Sequence, residues 1–490
     1  MAQTVAKAPY GSIRGDVRDG IARYLGIPYA APPTGERRFR PAEGREPLSG
    51  TFDAGRYGPA SPQHGKGWSD EAGCLTLNIW APENARRLPV FFFIHGGSFV
   101  YGSGSQSLYE GSHLAREGNM IVVTFNYRLG ALGCLDFSDL DSRFASNCAF
   151  TDMAAALQWV YENIEAFGGD PEQITVAGQS AGAISASAFP VNRKLNHMVS
   201  KVIMMSGTPT YLRSRKENRE ISQRFFEYTG FDDPQKLLSE DAGRLAEMGW
   251  NFQSVCGMGE ATYSLAVDGE TIPVSPVAAA AEGAAKSIPI FMGTTQEELA
   301  FVTSPILGGA LGIRGHIRRS LREEDPEVLR ALRREYSRQF GRRGNSVFIA
   351  DRVFRMGSLW YAQAYSAFAP AWLYRFDFES RAMQVIGLRA CHSSDLPLFF
   401  GNISTGIFPY MYLLDQRQKP HLTLMSEMQK DVFRFVAEGE LPWDGCTPDS
   451  VPAKIYDREI RYADAMEGSI REAFEQTRFY AETFRPPYSA

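Results

Sequence analysis

A serine flanked by glycines stands between a β-branched run and a run of small residues at 173–189, QITVAGQSAGAISASAF. The order of strand, tight turn at 178–182 and helix is the one that a nucleophile elbow requires. Such a turn forces Ser180 into a strained backbone conformation, and a side chain two residues to either side would crowd it. The glycines at both places therefore predict that Ser180 is a nucleophile.

A second glycine turn follows an apolar run at 88–99, LPVFFFIHGGSF. Consecutive glycines allow backbone N–H groups to face a ligand. In an acyl-transfer enzyme, the amides of Gly96 and Gly97, with that of Ala181 after the serine, would stabilise the oxyanion of the tetrahedral intermediate. Next to the serine turn, this segment favours an oxyanion hole over a plain glycine-rich turn.

A serine is a poor nucleophile until a histidine takes its proton and an acid orients that histidine. Among seven histidines, His392 is the candidate, because it lies in a loop after an apolar strand and follows the serine in chain order. His95 belongs to the glycine turn. The other five occupy polar or helical contexts typical of surface positions: His64, His113, His197, His316 and His421.

Two adjacent glutamates are candidates for the acid. Glu297 and Glu298 follow a strand predicted at 288–293, between the serine and the histidine in chain order. Paired carboxylates in a loop are commonly just solvated. The residues alone therefore leave the choice between the two glutamates open.

The elements that must position these residues form an α/β pattern. Short apolar runs recur between helical patterns, which indicates a parallel sheet covered on both faces. The predicted strands are 88–95, 120–127, 173–177, 201–205, 288–293 and 371–378. Apolar residues at helical spacing over 152–167 predict a helix that crosses between two strands.

Composition narrows the function classes. The 490 residues carry a net charge of -5, so no overall positive field would attract nucleic acid. No apolar run approaches the ~20 residues of a membrane span, and the N-terminus lacks the apolar core of a secretory signal, which predicts a cytoplasmic protein. The six cysteines are scattered without zinc-ligand spacing, so we expect reduced thiols and no metal.

An arginine-rich segment at 311–343 could be a polyanion-binding helix. However, acidic residues are interleaved, and apolar residues recur at helical spacing, which favours an ordinary solvated helix face. These apolar positions are Leu321, Val328, Leu329, Leu332, Tyr336 and Phe340.

Eight segments, in order along nearly the whole chain, resemble the type-B carboxylesterases, the α/β-hydrolase family that includes bacterial para-nitrobenzyl esterases and, more distantly, cholinesterases. The segments are 24–42, 75–82, 91–104, 125–135, 166–183, 205–208, 293–301 and 391–401. The resemblance implies one α/β-hydrolase domain over 1–490, with a mostly parallel central sheet and helices on both faces. It also implies helical cap or insertion regions at 211–285 and 302–370.

The resemblance implies a role for each candidate: Ser180 is the nucleophile, His392 the general acid/base and Glu298 the orienting acid. The family's acid precedes a residue that is often glycine and is Leu299 here, so Glu297 stays an alternative. The implied oxyanion hole consists of Gly96, Gly97 and Ala181.

Three further expectations follow from the resemblance. Arg128 and Asp152 map to a buried ion pair with a structural role. Ser61 replaces a cysteine that secreted members join to the position of Cys74, so that disulfide cannot form. Ala72 and Gly73 replace the acidic residues before Cys74, so we expect a charge pair with an upstream arginine to be lost. The last two changes suit a bacterial intracellular enzyme.

The sequence thus predicts a serine hydrolase that cleaves small to medium apolar carboxylic esters through an acyl-enzyme, without metal or organic cofactor and without nucleic acid or membrane partner. Hydrolysis of carbamates, amides or lactones by the same triad stays open, as does, more distantly, a non-catalytic binding protein on this fold. We expect loops 251–264, 304–317 and 401–414 to set the preference for the leaving group. Whether the protein is a monomer or a homo-oligomer is also open.

Overall fold

A computed structural model of the chain describes residues 2–65, 67–303, 321 and 324–484. The strands in these ranges, numbered in chain order, are β1 Ala2–Ala8, β2 Gly11–Arg18, β3 Ile21–Pro28, β4 Thr51–Asp53, β5 Thr76–Pro82, β6 Leu88–Ile94, β7 Ile121–Phe125, β8 Gly169–Gln179, β9 Lys201–Met205, β10 Arg213–Ser214, β11 Ala266–Val267, β12 Ile290–Thr295, β13 Ala371–Phe376, β14 Pro452–Tyr456 and β15 Arg461–Asp464.

All of these strands except the β10–β11 pair belong to one sheet, in the order β1-β2-β3-β5-β7-β6-β8-β9-β12-β13-β14-β15, with β4 paired to β2. The pairs from β7 through β14 are parallel, whereas the path from β1 to β7 and the last pair are antiparallel. The predicted α/β class with a mostly parallel centre is confirmed. The antiparallel flank formed by β1, β2, β3 and β5 is not visible as a parallel-sheet pattern, because two-residue turns join β1 to β2 and β2 to β3, and the described residues of the long connection from β3 to β5 contain no α-helix.

The centre of the sheet is buried on both faces. Along β6, Val90, Phe92 and Ile94 pack into one apolar core, while Phe91 and Phe93 pack into a second core on the other side. Side chains alternate between the two faces of a strand, so a strand that is covered on both sides must be apolar at every position. This is why 90–94 reads as an unbroken apolar run.

Helices supply both layers and the connections. The α-helices are Ser112–Glu117, Gly130–Cys134, Cys148–Asn163, Ala181–Ala186, Arg215–Thr229, Gln235–Ser239, Ala242–Cys256, Pro276–Ala281, Ala300–Thr303, Pro326–Phe340, Gly344–Ala350, Met356–Ser366, Arg381–Ile386, Leu396–Phe400, Phe408–Met411, Pro420–Glu438, Gly468–Glu475 and Arg478–Thr483. A π-helical turn at Asp351–Arg355 joins two of them. None of the helices in the described ranges is long and apolar enough to cross a bilayer.

The predicted elements are present with shifted ends. The crossover helix begins at Cys148, earlier than predicted, and its last turn at Ile164–Phe167 is a 3-10 helix. β8 extends in both directions beyond the predicted 173–177. The arginine-rich helix spans Pro326–Phe340 with Leu332 and Tyr336 buried, which confirms a solvated helix there, while 304–320 lies outside the described residues.

Two expectations about charged and polar residues are wrong. Arg38 does have a buried partner, because Glu71 lies one residue before the substituted pair and its Oε2 is 2.6 Å from Arg38 Nη2. His421 is buried rather than at the surface, because it lies on the inner face of Pro420–Glu438 and stacks on Tyr412. The Arg128–Asp152 ion pair is confirmed, with 2.6 Å between Nη2 and Oδ1.

Candidate active site

The serine turn lies at the carboxyl end of β8. Ser180 has φ 56° and ψ −122°, outside the regions that residues other than glycine ordinarily occupy. Its N–H donates to the carbonyl of Met205 at the end of β9, 2.9 Å away, and its carbonyl accepts from Ile184 in the following helix. Sheet and helix together hold the strained residue and direct its side chain into a cavity.

The two flanking glycines are required by close packing. A Cβ at Gly178 would lie 2.3 Å from the carbonyl carbon of Gly182, and a Cβ at Gly182 would lie 2.0 Å from the carbonyl oxygen of Ile94. Neither contact is possible between non-bonded heavy atoms. The elbow can therefore form only with glycine at these positions, as its sequence predicts.

The second glycine turn lies beside the first because β6 and β8 are parallel neighbours, paired from Val90–Ile174 to Ile94–Gly178. Gly97 has φ 117°, and a Cβ there would lie 1.9 Å from the carbonyl oxygen of Tyr101. Gly96, Gly97 and Ala181 all line the cavity. Among the described residues, none accepts a hydrogen bond from these three amides. The N–H groups are thus available to a ligand.

His392 and Glu298 form the polar contact opposite the serine turn. His392 Nδ1 lies 2.6 Å from Glu298 Oε2, and Glu298 is fully buried. The other carboxylate oxygen, Oε1, accepts from the N–H of Thr295 at 2.7 Å. A second link is made by the backbone, since the N–H of His392 donates to the carbonyl of Glu298 at 3.0 Å. Since a carboxylate only accepts, Nδ1 is the donor in this contact, and in the neutral imidazole Nε2 is then the acceptor.

Glu297 faces away from the histidine. Its carboxylate contacts the guanidinium of Arg343, and its N–H donates to the carbonyl of Ala390. Burial raises the pKa of Glu297, against the opposing effect of Arg343. Of the two adjacent glutamates, the structure brings Glu298 and not Glu297 to His392.

Sequence reasoning missed the groups that support this contact. Arg355, in the π-helical turn, donates from Nη2 to the carbonyls of Thr295 and Gln296, at 2.8 and 2.9 Å, and so anchors the loop that carries both glutamates. It also pairs with Asp351, one helical turn earlier, and its Nε donates to Thr294 Oγ1 at 3.3 Å. An isolated arginine in a helix carries no sequence signal for such a role.

A third buried acid lies close behind the histidine. Asp395 is fully buried, and its Oδ2 accepts from the hydroxyl of Tyr374 at 2.8 Å. Burial raises the pKa of Asp395 to about 6, and the Glu298 carboxylate adds to the increase. The only sequence signal for this acid is that Asp395 follows His392 by three residues.

Gln179, directly before the serine, lies against the histidine. Its Nε2 is 3.1 Å from His392 Nε2 and 2.8 Å from Ser393 Oγ, and its side chain is buried. A Cβ at Gly96 would lie 2.5 Å from Gln179 Oε1. The glutamine therefore spans the space between the glycine turn and the histidine loop.

The cavity encloses about 480 Å³ and is lined by Ser180, His392 and the two glycine turns. None of the described residues that line it is Lys, Arg, Asp or Glu. Tyr263 comes from one of the loops expected to set preference, whereas 401–414 contributes no described lining residue and 304–317 lies outside the described ranges. The aromatic residues of the wall are Phe99, Tyr101, Tyr109, Tyr211, Tyr263, Phe301 and Phe354.

Comparison with known proteins places this geometry in a family. A model described as the carboxylesterase family matches residues 2–451. The chain belongs to the carboxylesterase family. It is 34% identical over 425 residues to the para-nitrobenzyl esterase of Bacillus subtilis (strain 168), covering 82% of this chain and 84% of that protein. It is 28% identical over 446 residues to the phenmedipham hydrolase of Pseudarthrobacter oxydans, with the same coverage.

Solved structures agree with this assignment. A thermophilic para-nitrobenzyl esterase superposes with a TM-score of 0.84 at 30% identity, over 96% of this chain and 99% of that chain. A carboxylesterase from Geobacillus stearothermophilus gives a TM-score of 0.83 at 30% identity, with the same coverage. The predictions of the family, the α/β-hydrolase fold and an ester-hydrolysing enzyme are confirmed.

Proposed function

We propose that this carboxylesterase cleaves small to medium, uncharged apolar esters through a Ser180–His392–Glu298 triad and an acyl-enzyme. The observation that carries the proposal is the 2.6 Å contact between His392 Nδ1 and Glu298, in a cavity that also contains Ser180 and three free amides. Nucleophile, base, orienting acid and oxyanion donors are the parts that acyl transfer needs.

In this mechanism, His392 Nε2 takes the proton of Ser180 as the serine oxygen attacks the ester carbonyl. The amides of Gly96, Gly97 and Ala181 donate to the oxyanion, each contributing about 3 to 4 kcal/mol in the transition state. The imidazolium then protonates the departing alcohol, and Glu298 stays ionised to stabilise it. A water molecule, deprotonated by the same histidine, releases the acid and restores Ser180.

The substrate class follows from the character of the wall. Aromatic and aliphatic side chains favour apolar acyl and alcohol groups, and a buried charge without a partner is costly. A cationic or anionic substrate would find no countercharge among the described lining residues. We therefore propose that the substrates are neutral on both sides of the ester bond.

We further propose that 211–285 and the described part of 302–370 form a helical cap over the sheet. Tyr211 and Tyr263 from the first region and Phe354 from the second contribute to the cavity wall. The cytoplasmic location stays a prediction.

The test uses matched pairs of substrates. Para-nitrophenyl acetate and butyrate are compared with a choline ester and an anionic succinate monoester, each with wild type and Ser180→Ala. We expect turnover of the neutral esters by wild type, with little for the charged ones, and none by Ser180→Ala. Preference for a charged ester would overturn the substrate class, and full activity of Ser180→Ala would overturn the triad. A carbamate, an amide and a lactone complete the panel.

A further inference from the structure

We propose that Gln179 is a positioning residue of the triad, which keeps His392 Nε2 unprotonated and ready to act as a base. The inference rests on the proposed function, since it assigns a role toward a general base. It concerns the protonation state of the histidine rather than the identity of the triad.

The donors of the Gln179 amide match the acceptors around it. The amide nitrogen of Gln179 lies 3.1 Å from His392 Nε2 and 2.8 Å from Ser393 Oγ, so its two N–H bonds have two acceptors. In the neutral imidazole, whose Nδ1 donates to Glu298, Nε2 presents a lone pair that an N–H group can meet. If His392 Nε2 were protonated, its N–H would face the N–H of the Gln179 amide, and neither could accept. The contact thus favours the neutral imidazole.

The surrounding residues fix the position of the Gln179 amide. Gln179 is 2% exposed, and its backbone belongs to β8 directly before the strained serine. Its Oε1 occupies the space that a side chain at Gly96 would fill. Ser393, which receives the second N–H bond, has φ 69°, a conformation that a residue with a side chain rarely adopts. Both neighbours are thus shaped around the amide.

Acidic and apolar side chains surround the imidazole of His392. Glu298 lies at Nδ1, and Asp395, three residues further along the chain, is a second carboxyl group that interacts with the ring. The faces of the ring meet Phe354 and Phe301, with ring centroids 4.7 and 6.4 Å away, and Cys391 precedes it in the chain. Both acids favour the imidazolium. The neutral amide donates to Nε2, the atom that must accept the serine proton, and so favours the neutral ring instead.

During catalysis, the hydroxyl of Ser180 replaces the amide N–H as the donor to Nε2. The amide retains its bond to Ser393 Oγ and so stays in place. In the imidazolium that follows proton transfer, the Nε2 proton points to the leaving alcohol, and the nearby amide dipole disfavours a long-lived charge. Gln179 would thereby favour return of the proton to the leaving group.

The test is the pH profile of kcat/KM for a neutral para-nitrophenyl ester. Gln179→Glu keeps the size of the side chain but replaces the donor with a carboxylate, which stabilises the imidazolium. We expect the acid limb to move up by about 1 to 3 pH units, the range for a neighbouring opposite charge. Gln179→Met keeps the length without donor or charge, and its limb should lie between those of wild type and Gln179→Glu.

Two controls separate this role from a structural one. Gln429→Glu changes another buried glutamine that contacts a histidine, His113, away from the cavity, and its profile should match wild type. The Gln179→Glu shift is measured again with Asp395→Asn, so that ionisation of Asp395 cannot account for it. A purely structural role would lower kcat in Gln179→Met without moving the limb.

The outcomes distinguish this inference from the proposed function. If the acid limb of the kcat/KM profile in Gln179→Glu lies where it does in wild type, and Ser180→Ala is inactive, the role of Gln179 is overturned. The triad is then unaffected. An active Ser180→Ala overturns the triad itself. If Gln179→Glu does not fold, the order of the wild-type and Gln179→Met limbs decides, since an unchanged limb in Gln179→Met also overturns the proposal.

Discussion

The serine side of the site, residues 95–102 and 178–182, and the histidine side, residues 295–298 and 391–395, are built in different ways. The serine side consists of backbone turns that pack closely, and they can do so because glycine has no Cβ atom. Side-chain hydrogen bonds and buried charges form the histidine side, and they join segments that lie far apart in the chain. We therefore expect added side-chain atoms to disrupt the serine side, and changes of charge to disrupt the histidine side.

The largest expected effect is on the histidine side. Glu298→Gln should lower kcat/KM by about 10³- to 10⁴-fold, because the amide cannot stabilise the imidazolium and can reverse the tautomer. Glu297→Gln is the matched control on the adjacent residue, and we expect activity close to wild type. Steady-state kinetics on a para-nitrophenyl ester measures both. Equal losses in the two variants would mean that the loop, not the Glu298 carboxylate, matters.

On the serine side, Gly182→Ala should destabilise the protein by about 3 kcal/mol or more, because the new Cβ would lie 2.0 Å from the carbonyl oxygen of Ile94. Gly468→Ala is the matched control, since no atom lies within 4 Å of a Cβ there. We expect its free energy of unfolding to change by less than about 0.5 kcal/mol. Urea unfolding compares the two, and similar values would remove the steric argument.

We expect a smaller, pH-dependent effect of Asp395 on the free energy of unfolding. Its pKa in the folded protein, about 6, is above the ordinary value, so the folded state keeps a proton that the unfolded chain releases. This carboxyl therefore lowers the free energy of unfolding as pH rises from about 4 to 6. Relative to wild type, Asp395→Asn should gain up to about 3 kcal/mol across this window. A pH-independent difference in urea unfolding would contradict the assignment.

The same contrast explains what the sequence could predict. The serine turn and the glycine turn are local, so GQSAG and HGG after apolar strands already specify their geometry, and the structure has both turns where they are expected. On the histidine side, the choice between Glu297 and Glu298 depends on the direction each side chain takes after β12. That direction is set by Arg355, Arg343 and the 391–395 loop, none of which is adjacent in sequence.

Other contacts escaped prediction for the same reason. Gln179 and His392 are 213 residues apart, and no spacing rule relates them. The resemblance places the partner of the arginine directly before Cys74, whereas Glu71, three residues before that cysteine, makes the pair with Arg38. Long-range polar contacts between single residues leave no periodic pattern in the chain, unlike strands and amphipathic helices.

The measurement that most directly tests the account is covalent labelling of the resting enzyme with diethyl para-nitrophenyl phosphate, followed by intact mass and peptide mapping. We expect one phosphoryl group per chain, on Ser180, with no label on Ser180→Ala and much slower labelling of Glu298→Gln. A folded wild-type protein that stays unlabelled, or a label on another residue that persists in Ser180→Ala, would contradict the serine-nucleophile account.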